Sequence, residues 1–103
     1  MKTALLLSAA AEADLELARA WAAAGDEVQV VLLDTAAGIA RAGHTLHDSL
    51  RRVLAAGVTV VAHDDALRRR AIDAASLADG VKVADMDEIA DLVAEGAQRV
   101  VWL

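Results

Sequence analysis

The residues best placed to do chemistry are His63, Asp64 and Asp65, followed within one helical turn by Arg68, Arg69 and Arg70. They come directly after the apolar run Val58–Ala62, which opens with Gly57. Four apolar residues there read as a parallel strand buried on both faces, and the polar triplet breaks it. Either aspartate can cap a following helix whose inner face is Leu67, Ala71, Ala74 and Ala75. Strand-to-helix turns of α/β sheets gather ligands and reactive groups, because free N–H groups and the positive end of the helix dipole point there. His63 to Asp65 is therefore the candidate site. At least one of the three arginines is expected to lay its stem on apolar surface beside it.

Two further histidines, His44 and His47, lie three residues apart, a spacing that can put both imidazoles on one helical face. With His63 and an oxygen from Asp48 or Asp64 they could form a zinc or haem site. Surface histidines without a ligand are the plainer reading. Ser8, Ser49 and Ser76 have no assignable base, so no serine triad is present. The chain has no cysteine. Disulfides, thiolate metal sites and cysteine nucleophiles are excluded.

The elements that would position these groups alternate regularly. Residues 3–8 read as a first strand, and Glu12–Ala24 as a helix with Leu15, Ala18, Trp21 and Ala22 on one stripe and Leu17 beside it. Gly25 ends that helix, and Glu27–Leu33 is the second strand. Residues 35–45, with Gly38 and Gly43, predict a loop holding one helical turn. Leu46, Leu50, Val53 and Leu54 mark a helix before Gly57. After Asp79-Gly80, Val81–Ala84 is a fourth strand. Asp85 with Glu88 has the spacing of a capping pair for a helix along Ile89, Leu92 and Val93. Arg99–Leu103 is the fifth strand. The class is α/β: a three-layer α/β/α sandwich on a five-stranded parallel sheet, one domain over residues 1–103.

Bulk properties narrow the function classes. The opening Met1–Ala11 has a lysine and a brief apolar run, read as the first strand rather than an export signal. No apolar run nears the ~18 residues that span a bilayer, and the expected location is the cytoplasm. At 57% hydrophobic residues the chain predicts a subunit interface, with Trp21, Leu15 and Leu17 as its expected contacts. The net charge of −6 hides a locally basic middle third, where residues 41–70 carry all the arginines except Arg19 and Arg99. That stretch is either a solvated helix face or a docking surface for an acidic partner or a phosphate backbone. The turn after the first strand, Ser8-Ala-Ala-Ala-Glu12, has no glycine-rich loop or Walker lysine, which argues against a nucleotide or flavin site. A phosphoacceptor receiver would need acids after the first strand and a lysine on the last; this chain has Ser8 and Arg99.

Three segments carry a resemblance: Gly57–Ile72 with its His63-Asp-Asp-Ala-Leu-Arg-Arg-Arg70 core, Val81–Val93, and the ending Arg99-Val-Val-Trp-Leu103; Gly25–Asp34 fits as well. The chain resembles the DsrE/DsrF/DsrH superfamily of sulfur-relay proteins, most closely its DsrH/TusB branch. That resemblance implies a three-layer domain assembled into oligomers with DsrE/DsrF-like subunits. It implies passage of persulfide sulfur between cysteines, toward tRNA 2-thiouridine or in sulfur oxidation, with no cofactor. The carrier cysteine of active members aligns with His63, and a second cysteine of some members aligns with Ala66. The resemblance therefore implies a non-catalytic subunit: His63, Asp64, Asp65 and Ala66 keep a vestigial site, and Arg68, Arg69 and Arg70 dock a partner. Direct nucleic-acid contact and membrane insertion are not expected. The rival is a stand-alone small-ligand or metal-binding protein using His44, His47 and His63.

Overall fold

The computed structural model describes residues 1–103. Five strands run parallel in the order β4-β3-β2-β1-β5: β1 Lys2–Leu7, β2 Glu27–Leu32, β3 Thr59–His63, β4 Lys82–Ala84 and β5 Arg99–Trp102. The helices are α1 Glu12–Ala23, α2 His47–Ala55, α3 Asp64–Arg69 and α4 Met86–Asp91. The three-layer α/β/α sandwich with a parallel sheet is as the alternation implied. From β1 to β4 each connection steps the same way, so right-handed crossovers put α1, α2 and α3 on one face. Only the return from β4 to β5, through α4 and a π turn at Leu92–Gly96, crosses the other.

The two faces are unequally covered. Leu5, Leu7, Val30, Leu32, Val60 and Ala62 point into a core cluster of 20 buried residues under the first three helices. The alternate residues Leu6, Val31 and Val61 join Ala84 and Ile89 in a cluster of 5. No helix is long and apolar enough to cross a membrane.

Several expectations are corrected. Residues 34–40 form a 3-10 helix, Asp34–Ala40, rather than a loop with one turn; Ala36, Ala37, Ile39 and Ala40 are buried on it. Small side chains let that backbone lie close to the sheet. The asymmetry of the core also reassigns Leu15 and Trp21. Leu15 is fully buried within the subunit, and Trp21 packs on the core under the Arg99 guanidinium, 4.5 Å from its ring centroid. They are not the exposed contact. The large apolar groups left in solvent are Met1, Val83, Met86, Val100, Trp102 and Leu103. Asp85 and Glu88 do form the reciprocal capping box. On the α1–α2 seam, the hydrogen bond from Arg19 holds the Glu16 carboxyl below its ordinary range, with Arg52 adding to the effect.

The third helix is shorter than its pattern suggested. It stops at Arg69, and Ala71, Ala74 and Ala75 are exposed instead of forming an inner face. The reason is a helix stop without glycine. The ends of α1 and α2 share one hydrogen-bond pattern, Asp26 N–H to Trp21 C=O (3.1 Å) and Val58 N–H to Val53 C=O (3.3 Å), with Gly25 and Gly57 at positive φ. The same pattern ends α3, Ile72 N–H to Leu67 C=O at 3.0 Å, but the residue at positive φ is Ala71 (φ 53°). Burial of Leu67 and Ile72 together supplies the apolar contact that locks such a stop. Ala71→Gly should therefore stabilise the protein by about 0.5–1 kcal/mol, because relief of the left-handed strain exceeds the added freedom of the unfolded chain. Thermal unfolding showing no gain, or a loss, would contradict this account of the stop.

Candidate functional site

Parallel strands end together, and here their carboxyl ends form one edge: Leu7, Leu32, His63, Ala84 and Trp102 are within two residues of one another in register. Alternation puts Val31, Val61 and Val100 on the less covered face. Two residues further on, the same alternation brings Leu33, His63 and Trp102 there. These three, with Asp34, Asp65, Ala66, Arg69, Arg70 and Met86, line a cleft of about 300 Å³.

His63 occupies the N-cap position of α3 without capping it through its side chain. Neither aspartate is the N-cap. Asp64 Oδ1 instead accepts the Asp65 N–H at 2.6 Å and lies 3.7 Å from His63 Nε2. The imidazole is 16% exposed, so it belongs to the cleft wall rather than to open surface. Ala66 is buried one turn of chain beyond it.

The three arginines are not a free basic patch. Arg68 pairs with Asp64 (3.4 Å) and Asp65 (3.1 Å), and Arg69 with Asp65 (2.9 Å). Both guanidiniums are mostly in solvent. Arg70 is the one that lies down, at 28% exposure. Its Nη1 donates to Ala66 C=O and its Nη2 to Asp34 Oδ1, each at 3.0 Å. The charge at this turn is thus balanced by Asp34, Asp64 and Asp65, and of the arginines in the basic middle third only Arg41 and Arg51 stay outside ion pairs.

Sequence reasoning missed Asp34, Trp102, Ser8 and Thr35 as parts of this edge. Trp102 Nε1 donates to Ser8 Oγ at 2.8 Å, and Thr35 Oγ1 donates to Ser8 C=O at 2.8 Å. Ser8, where an α/β nucleotide site would begin, is therefore tied to the last strand and to the 3-10 helix. The available signal for Trp102 was its alternation with Val100; Asp34 and Arg70 are too distant in sequence to be paired by spacing.

The histidines do not converge. His44 Nδ1 accepts the Leu46 N–H at 3.0 Å, while His47 opens α2 and lines a different cleft, among Ala42, Leu77 and Asp79. No group of three or more His, Cys, Asp or Glu side chains is arranged to hold a metal ion. The rival reading loses its joint site, because the 3-10 helix and turn after β2 carry His44 and His47 away from the end of β3.

The sequence matches the DsrE/DsrF-like family over residues 1–103. The chain belongs to the DsrE/DsrF-like family. No curated protein matches it. Among solved structures, the fold is similar to that of the YchN protein from E. coli, with a TM-score of 0.86 at 19% identity over 100% of both chains. MTH1491 of Methanobacterium thermoautotrophicum, a protein of unknown function, gives 0.79 at 15% identity, covering 99% of this chain and 98% of its own. BT1422 of Bacteroides thetaiotaomicron, likewise of unknown function, gives 0.75 at 13%, covering 98% and 94%. Those likenesses concern the fold.

Asp34, like Ala71, is a non-glycine residue at positive φ (48°). Strain and ion pair therefore coincide at the cleft floor, and they can be separated. Asp34→Ala should cost about 1–2 kcal/mol, by loss of the partly exposed pair and by the poorer fit of alanine to left-handed backbone. Asp34→Gly loses the pair but relieves the backbone, and should cost about 1 kcal/mol less than alanine. Urea unfolding of the two variants checks this; equal costs would mean that the backbone at Asp34 is unstrained.

Proposed function

We propose that this chain is a non-catalytic, DsrH/TusB-like subunit that completes a sulfur-relay assembly whose thiols belong to DsrE/DsrF-like partners. The observation that supports the reading is a formed cleft at the β3–α3 turn of a DsrE/DsrF-like domain, lined by His63 in a chain that has no cysteine. Sulfane transfer needs a thiolate that attacks the outer sulfur of a persulfide, with the inner sulfur leaving as thiolate. With no thiol of its own, the chain can do neither half of that step. It can offer a wall of His63, Asp65 and Arg69–Arg70, rimmed by the exposed Met86 and Trp102, against which a partner's sulfur-bearing segment packs. His63, Asp64, Asp65 and Ala66 are then the vestigial site, and Arg68 and Arg69 with Trp102 are the docking surface, Arg70 supporting it from beneath rather than docking a partner as the sequence implied. The sulfur passes toward tRNA 2-thiouridine or through sulfur oxidation, in the cytoplasm.

The assembly is tested by co-expression with DsrE- and DsrF-like chains from the same genome. A stoichiometric heteromer by native mass spectrometry, and persulfide transfer that falls when this chain is omitted, are expected. Transfer of sulfane sulfur by this chain alone, or a relay indifferent to its omission, would sink the role.

The vestigial position is tested by His63→Cys. The positive end of α3 and Arg70 in the same cleft favour a thiolate, although the Asp65 N–H is already taken by Asp64 Oδ1. Asp64 and Asp65 oppose it, and α3 is only 6 residues long. The alkylation midpoint should fall below that of a cysteine at exposed Ala20, but by less than in sites without flanking acids. A midpoint equal to or above the Ala20→Cys control would remove His63 from the reactive position.

A further inference from the structure

Of the two edges of the sheet, only one is guarded. β4 is 3 residues long and begins with the exposed Lys82. Shortness and lysine are common devices that keep an edge from pairing with another chain. β5, Arg99–Trp102, has no such guard. Its register with β1 is unbroken by a bulge. Its one charge is committed within the subunit, since Arg99 donates to Asp26 at 3.3 Å and lies over Trp21. The other side chains are apolar, and Val100, Trp102 and the following Leu103 stand in solvent.

The backbone of that edge is open in a defined pattern. Leu103 donates its N–H to Leu6 C=O at 2.9 Å, and its own C=O accepts the Ser8 N–H at 3.3 Å. Alternation turns the Val101 groups toward β1 as well. The N–H and C=O of Val100 and of Trp102 therefore point away from the sheet. The indole is drawn to the β1 side by its bond to Ser8 Oγ.

We propose that the β5 edge pairs with the β5 edge of a second copy, antiparallel about a two-fold axis through Val101, so that one sheet runs through both subunits. A two-fold contact must be self-complementary, and this register makes it so. Val100 stands opposite Trp102 of the other copy, and each such pair exchanges both N–H···O=C bonds, which leaves no outward group of either residue unpaired. The same pairs set a β-branched side chain against an aromatic one on the thinly covered face. On the other face Val101 meets its own copy at the axis. Beside it Leu17, one turn before Trp21 on the flank of α1 over β5, is half-buried. Arg99 faces Leu103 of the other copy, so like charges do not meet. An axis through Val100 would instead set Trp102 against Gln98, whose N–H is already given to Lys2 C=O. The contact uses backbone at the outer edge rather than the wall of the His63 cleft, so it does not rest on the sulfur-relay reading.

The chain has no cysteine, so single introduced cysteines report the register without background. At a non-hydrogen-bonded antiparallel position the facing Cα atoms are about 4.5 Å apart, within disulfide reach. Val101→Cys should therefore cross-link two copies under a mild oxidant. Val100→Cys, two residues out of register with its own copy, lies beyond that reach and should cross-link far more slowly. The native chain should sediment as a dimer. Because the Val100 N–H takes no part in the fold, Val100→Pro should keep the far-UV circular dichroism and sediment as a monomer. Val100→Glu should do the same without touching the backbone, by setting a carboxylate into the apolar pair. The pairing is refuted by a native chain that stays monomeric up to about 100 µM, including one whose β5 edge is taken up only by a DsrE/DsrF-like chain. It is refuted equally by an assembly whose mass Val100→Glu leaves unchanged, or by Val101→Cys cross-linking no faster than Val100→Cys.

Discussion

A parallel sheet has both faces to bury, because its crossovers leave no strand free to turn a polar side to water. Here three crossovers step in one direction and fill one face, and a single return connection must serve the other. Met86–Asp91 with its π turn is too short to cover five strands. Its cover reaches Leu6, Val31 and Val61 in the middle of the sheet and leaves Val100 and Trp102 on the outer strand in solvent. The unequal cover decides where the domain can meet something else. The cleft at the strand ends opens on that thin face, its rim is the exposed Trp102 and Met86, and the histidine in its wall is there because β3 alternates.

The floor of that cleft is fixed by a tether between two strained turns. Asp34 leaves β2 in left-handed backbone, and Ala71 leaves α3 in the same conformation. Arg70, the residue before Ala71, reaches Asp34 Oδ1 and Ala66 C=O. One guanidinium thus joins the exit of β2 to the body and the end of α3. Strained positions persist where surrounding contacts over-determine them, and such positions gather at functional sites. The Schellman bonds from Ala71 and Ile72 back to Arg68 and Leu67 over-determine one turn, and the Ala36 N–H to Leu33 C=O bond helps to hold the other.

The elements that could be read in advance are those that local chemistry writes in the sequence. Period-2 and period-3.6 patterns gave the strands, α1 and α2, and the Asp85/Glu88 spacing gave the capping box. The stop of α3 was not legible, because the residue that takes the glycine position is alanine, and alanine otherwise argues for more helix. The 3-10 helix at 34–40 was obscured by Gly38 and by alanines that mark closeness to the sheet rather than a helical period. At the site, the His63–Asp65 turn was visible from the strand that precedes it. Its partners Asp34, Ser8 and Trp102 were not, since they arrive from three other strand ends and only the sheet order brings them together. The apolar composition was misassigned for a related reason: the Leu15 and Trp21 stripe fills the well-covered face, while Val100 and Trp102 are left in solvent on the poorly covered one and Val83 at the β4 edge of the sheet.

Charge has to be judged by partner rather than by sequence neighbourhood. The middle of the chain is basic as a string, yet Arg68, Arg69 and Arg70 are matched by Asp64, Asp65 and Asp34, and Arg52 by acids on α1. A phosphate backbone approaching α3 would meet carboxylates as often as guanidiniums, which removes the electrostatic basis for nucleic-acid docking there. A protein partner loses less, because paired arginines can exchange a solvent-exposed carboxylate for one across an interface at little net cost. The exposed pairs Arg68–Asp64 and Arg69–Asp65 suit that exchange, whereas Arg70–Asp34 is committed to the fold. At this edge the groups free for such an exchange are the two outward arginines, which lie beside the exposed Trp102, while Arg70 holds the cleft in shape beneath them.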